Sequence, residues 1–266
     1  MTIFNVLDKL DHKDLEVNKL SSRREVFNRL GAFGKKLAMA SAPLGVTATA
    51  SHKAYASPED IAQALNFALL LEYLEAEFYV LGLDAGVIPS GSDAEKIYMQ
   101  ISKHETAHVE FLKSAIGSIG GEPIGKPEFD FTAGGRFSTF SDYHLFLILS
   151  QAFEDTGVRA YKGQAANLID NNDVLTAALQ IHSVEARHAS EVRRLRSGQK
   201  GWVTQDGTWE GMPSEVRAVY IGEAQTMQAG LDLTTITDVG EDGITESFDE
   251  PLSKAEVTAI ANLFLA

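Results

Sequence analysis

The chain has 266 residues, 44% of them apolar, enough to bury one sizeable core, and a formal net charge of −14. The charge is uneven: residues 1–56 carry nine Lys and Arg against five Asp and Glu, which leaves 14 against 32, a net of −18, for residues 57–266. So acidic a body repels nucleic acid and anionic membrane, which excludes both as natural partners, and it attracts cations. With no Cys, disulfides, thiolate metal sites and thiol catalysis are excluded, leaving carboxylate and imidazole as ligands for metals such as iron and manganese.

In residues 1–56, Ser22-Arg23-Arg24 precedes a mildly apolar stretch from Leu30 to Ala50, and Ala54-Tyr55-Ala56 supplies the small-x-small pattern of a cleavage site. This looks like a twin-arginine export signal, which implies a periplasmic or extracellular protein. Phe27 stands one place later than the usual pattern has it, and Lys35-Lys36 interrupts the apolar segment. The alternative is an amphipathic amino-terminal helix that stays attached. No other uncharged apolar run approaches the roughly 20 residues needed to span a bilayer, so no membrane span is expected in the mature form.

Four segments with helical periodicity follow. Ser57-Pro58-Glu59-Asp60 offers an N-cap, a Pro at the first helical position and an early acid, predicting a helix to about Leu81. Ser92 with Glu95 predicts a capping box and a second helix ending near Gly117. Residues 118–140, rich in Gly and holding Pro123 and Pro127, read as a long crossover. Ser141-Asp142 opens a third helix to Leu168, Asp170-Asn171-Asn172 makes a turn, and a fourth helix ends near Arg196. Residues 199–266, with Trp202, Trp209 and many Gly and Asp, predict irregular structure closed by a short helix from Ser253 to Phe264.

Read at 3.6 residues per turn, each helix shows an apolar stripe with an acid near its middle. The stripes are Leu65, Leu69, Glu72, Ala76, Tyr79; Ile97, Ile101, Glu105, His108, Leu112, Ala115; Leu147, Gln151, Glu154, Val158, Tyr161; and Ala178, Ile181, Glu185, His188, Val192, Leu195. Burying a carboxylate without compensation costs several kcal/mol, and about 5 to 15 kcal/mol is the whole stability of a domain. No Lys or Arg lies on these stripes. Two divalent cations would neutralise four carboxylates and give the two imidazoles a role as neutral ligands.

Glu105-x-x-His108 and Glu185-x-x-His188 each place a carboxylate and an imidazole one turn apart on one face. Glu72 is followed after seven residues by Tyr79, and Glu154 after seven by Tyr161. The helix pair is thus repeated, each half donating Glu, Glu and His. Glu75, about 60° around the helix, rivals Glu72. Tyr79 and Tyr161 are candidates for donors to the ligands or electron relays, with simple packing as the alternative. His104 is expected to face solvent, and His182 to stand beside the site. The acidic run from Asp238 to Glu250 reads as a solvated surface.

Over residues 59–196 the chain resembles the ferritin-like superfamily, on Leu65-Asn66-Phe67-Ala68 through Leu71-Glu72-Tyr73-Leu74-Glu75-Ala76-Glu77-Phe78-Tyr79 and on the two Glu-x-x-His pairs. Within it the chain is similar to bacterial proteins related to plant desiccation-related proteins, as is Ser247-Phe248-Asp249-Glu250-Pro251-Leu252 in the tail. The resemblance implies an all-α fold: an up-down-down-up four-helix bundle over 57–198 with one long crossover and an irregular C-terminal extension. It also implies two Fe ions, or alternatively two Mn ions, reacting with O2 or H2O2 in oxidative or desiccation stress protection. On that reading Glu105 and Glu185 bridge the metals, Glu72 and Glu154 are terminal ligands, and His108 and His188 each cap one metal. Glu105, Glu185, Tyr79 and Tyr161 are the candidates for a catalytic part. A non-catalytic protein whose metal site serves stability is the competing expectation. A homo-oligomer is allowed, but the long tail and the export signal fit poorly with a many-subunit storage shell.

Overall fold

The computed structural model describes residues 57–196 and 200–266, so the expected export signal and cleavage site lie outside the described residues. Four long helices dominate: α1 (Pro58–Asp84), α2 (Asp93–Ser118), α3 (Tyr143–Gln164), continued by a 3-10 turn over Ala165–Leu168, and α4 (Asn172–Leu195). Ser57 caps α1 reciprocally with Asp60, and Asn171 caps α4. Ser92 caps α2, but Glu95 turns its carboxylate to the Gly91 amide instead of the Ser92 amide, so the expected box is half formed. α1 packs along α2 and α3 along α4, and the segment between Ser118 and Tyr143 carries the chain from one hairpin to the other. This is the ferritin-like arrangement of two short connections and one long one, as the sequence predicts. No helix among the described residues is long and apolar enough to cross a membrane.

The core has two apolar layers. One is aromatic, with Phe78 stacked on Phe146 at 4.6 Å and edge-on to Phe153 at 4.9 Å. The other is aliphatic, built from Leu65, Leu69, Leu112, Ile116 and Ile181. Along each helix the acid of the stripe falls between residues of these two layers, so water is excluded on either side of it.

Residues 200–266 form short 3-10 turns, a two-residue antiparallel pair β1 (Met227–Gln228) and β2 (Leu231–Asp232), and two short helices, α5 (Gly240–Thr245) and α6 (Lys254–Ala261). They add Val216, Tyr220, Leu252, Val257, Ile260 and Phe264 to the aromatic layer. As a result every residue of α3 from Phe146 to Tyr161 is buried, on one side by the bundle and on the other by this segment. The buried Arg159 guanidinium donates to the carbonyls of Val219, Ile221 and Glu250 and pairs with Glu223 at 2.8 Å. Gln151, expected on the inward stripe, donates to Tyr220 Oη at 3.0 Å and accepts from Arg196 at 2.5 Å, so it belongs to the outer face. Gly163 is required by close approach: a Cβ there would overlap the Leu252 carbonyl. In the acidic run, Glu246 pairs with Lys200, and Thr204 donates to it.

Candidate metal centre

Helical spacing delivers one carboxylate from α1, one from α3, and a carboxylate with an imidazole from each of α2 and α4 to the same level of the bundle. Glu72, Glu105, Glu154 and Glu185 are each 0% exposed, His188 is buried, and His108 is partly open to solvent. Ligand atoms of Glu72, Glu105, His108 and Glu185 lie within 4.8 Å of one another, and so do those of Glu105, Glu154, Glu185 and His188. All six predicted residues are therefore brought together, in two groups that share Glu105 and Glu185.

The imidazoles turn Nδ1 inward. His108 Nδ1 lies 3.1 Å from Glu72 Oε2, 3.1 Å from Glu105 Oε2 and 3.2 Å from Glu185 Oε1. His188 Nδ1 lies 2.7 Å from Glu105 Oε1 and 3.3 Å from Glu154 Oε2, without the alignment of a hydrogen bond. Glu105 Oε1, Glu154 Oε2, both oxygens of Glu185 and His188 Nδ1 are buried with no hydrogen-bond partner among the described residues. Buried polar atoms are nearly always satisfied, so five unpaired ones in groups this close make a place that cations could fill. Carboxylate and imidazole donors in this number fit two ions of the iron or manganese class.

Electrostatics point the same way. Burial pushes the Glu72 carboxyl up to about 7 and raises Glu154, and burial with the neighbouring acids drives Glu185 well above the usual range. Burial pulls both imidazoles down, but the carboxylates around them outweigh it and raise His108 and His188 strongly. Glu105 differs: burial would raise it, but the imidazoles of His108 and His188 outweigh burial and bring it down to about 2. Without metal the other three carboxyls hold their protons more readily than free ones, and a dication pair would displace them.

Two further residues belong here. Glu75 is also buried, 2% exposed, and burial together with Glu185, Glu154, Glu105 and Glu72 raises its carboxyl well above the usual range. A Cβ on Gly157 would sit 3.3 Å from Glu75 Oε1 and 3.1 Å from Glu185 Oε2, so the bare glycine makes room for both acids. In the repeat that aligns Glu72 with Glu154 and Tyr79 with Tyr161, Glu75 falls opposite Gly157, and this broken match is the signal that could have found it. His104 does not face solvent as expected: its ring meets that of His188 edge to edge, with planes 10° apart and Nδ1 2.9 Å from His188 Nε2. His182 is partly buried, and it shares no hydrogen bond or ion pair with the six among the described residues. Tyr79 donates to Glu154 Oε1 at 2.5 Å, and Tyr161 donates to Glu72 Oε1. Burial holds both phenols well above their usual range, so they remain hydrogen donors.

The sequence profile of the ferritin-like domain family matches residues 60–198, just over half of the chain. The chain belongs to the ferritin-like domain family. No curated protein matches it. The matched region spans α1 to α4 and contains all six clustered residues, so the ferritin-like domain coincides with the site.

Proposed function

We propose that this ferritin-like protein binds two divalent ions, iron or manganese, and reacts with O2 or H2O2, serving protection against oxidative or desiccation stress. The observation that supports the reading is the convergence of six side chains with five buried, unpaired donor atoms between two apolar layers. Glu105 and Glu185 would be shared by both ions, with Glu72 and His108 completing one position and Glu154 and His188 the other. Bound iron or manganese supplies the redox capacity that carboxylates and imidazoles lack. The chain's own part is positional. Tyr79 and Tyr161 each engage one oxygen of a terminal carboxylate, orienting the other, while the apolar layers exclude water and the partly open His108 side leaves a route for a small oxidant. Export through the twin-arginine pattern of residues 22–24 belongs to the same proposal, because that route carries proteins already folded around their metal.

The test is oxidation of Fe(II) added to metal-free protein under anaerobic conditions and then exposed to air, with metal content measured first. Loaded protein should oxidise Fe(II) faster than buffer, and Glu105→Ala should lose both the bound metal and the rate. Loaded wild type no faster than buffer would refute the redox role. A second reading is favoured by the number of buried acids: the metal serves folding alone, in which case metal removal lowers the melting temperature steeply and no oxidant is turned over.

A further inference from the structure

The internal repeat is asymmetric around its two imidazoles. Glu105 aligns with Glu185 and His108 with His188, which puts His104 opposite Val184. His104, half-buried on α2, lies parallel to His188 on α4, with ring centroids 5.1 Å apart and planes 10° apart. Its Nδ1 is 2.9 Å from His188 Nε2, and its own Nε2 is 2.7 Å from the side-chain amide of Gln100, one turn earlier on the exposed face of α2. A hydrogen-bonded line therefore runs from the surface through His104 to the outer edge of His188, whose inner edge faces Glu105 and Glu154. His108 has no such support: its hydrogen bonds among the described residues both leave from Nδ1, to Glu72 and Glu105.

A neutral imidazole can present Nδ1 to a cation only when its hydrogen resides on Nε2, and the group bonded at Nε2 fixes both tautomer and ring plane. We infer that His104 is a positioning residue: it accepts the Nε2 hydrogen of His188, aims Nδ1 into the site, and makes the position formed by Glu105, Glu154, Glu185 and His188 the tighter of the two. His104 then passes its own Nε2 hydrogen to Gln100, whose amide turns to present oxygen. The inference rests on the dimetal reading and adds to it that the two positions are unequal for a reason encoded at residue 104.

The experiment is calorimetric titration of the metal-free full chain with Mn(II), comparing wild type, His104→Phe and His104→Asn. Phe keeps a flat ring at the edge of His188 but accepts no hydrogen bond, whereas the Asn carbonyl oxygen occupies nearly the place of Nδ1. Wild type should take up two ions with distinct affinities. His104→Phe should weaken the tighter by about 10- to 100-fold, as loss of a ligand's hydrogen-bond partner typically does, and leave the weaker within a few-fold. His104→Asn should stay close to wild type, and all three metal-free proteins should remain folded at the temperature of the titration. Two ions bound equally well by wild type and His104→Phe, or equal weakening of both positions in both variants, would overturn the inference while leaving the dimetal reading intact. A folded wild type that takes up no ion would fail the dimetal reading itself, and this inference with it.

Discussion

The phenol of Tyr79 on α1 reaches across the bundle to donate a 2.5 Å hydrogen bond to Glu154 on α3, 75 residues away in sequence. Tyr161, its counterpart in the repeat, donates back to Glu72. Each half of the molecule thus orients a carboxyl group that the other brings to the cluster, so neither half can complete its side of the cluster alone. Tyr79→Phe and Tyr161→Phe should each cost about 1 to 3 kcal/mol in chemical denaturation, the usual cost of leaving a buried acceptor without its partner. Variants that unfold at the wild-type denaturant concentration would show that the crossed bonds do not hold the halves together.

Gly157→Ala introduces a methyl 3.1 Å from Glu185 Oε2 and 3.3 Å from Glu75 Oε1, tighter than ordinary contact. Glu185 is shared by both clustered groups, so its displacement should lower metal affinity, and Glu75→Ala in the same chain should relieve the crowding and restore most of it. Metal titration of the single and double variants checks this. A single variant with unaltered affinity would show that Glu185 has slack to move.

The clustered acids also set a pH dependence for the metal-free protein. Glu72 rises from an ordinary 4.5 to about 7, and Glu75, Glu154 and Glu185 are raised as well. A carboxyl with a raised folded-state pKa contributes stability that is fully present below the unfolded value and is lost as pH climbs through the folded one. Metal-free protein should therefore lose melting temperature as pH rises from near 4.5 through about 7, and Glu72→Gln should flatten part of that slope. Metal binding releases the same protons, so the gain in melting temperature on adding Mn(II) should grow over the same window. A metal-free melting temperature that rises with pH there would contradict this assignment of charge.

Arg159 ties the C-terminal segment to α3 through three carbonyls and Glu223, and both charged side chains are buried. Arg159→Met leaves Glu223 buried without its partner, which should cost about 3 to 5 kcal/mol. Limited proteolysis should then cut first between Val219 and Leu252. Adding Glu223→Gln should recover part of the loss, because it removes the unpaired charge. Wild-type resistance to protease in Arg159→Met would mean that the apolar contacts of Tyr220, Val257 and Phe264 hold the segment without it.

The bundle and its six clustered residues were legible because they depend on order within single helices. Glu105-x-x-His108 and Glu185-x-x-His188 announce themselves by spacing, and the cap at Ser57 marks where the first helix starts. What stayed hidden depends on how helices cross. His104 follows its own helix's period outward, yet α4 passes close enough for His188 to meet it. Glu75 and Glu72 are both inward on α1, and only the missing side chain of Gly157 on α3 explains why both fit. Gln151 reads as part of the inward stripe, and nothing in the order of α3 shows that it, Asp155 and Arg159 face the segment bearing Tyr220 and Glu223. Irregular chain of that kind has no periodicity from which its docking place could be read.

Metal stoichiometry bears most directly on the central claim. The full chain, stripped of metal, reloaded with Fe(II) or Mn(II) under anaerobic conditions and desalted, should carry two ions per chain by elemental analysis. The Glu105→Gln, Glu185→Gln double variant, folded but lacking both shared carboxylates, should carry none. A folded wild type that retains no ion, or a double variant that retains two, would contradict the assignment of these buried acids to a metal pair.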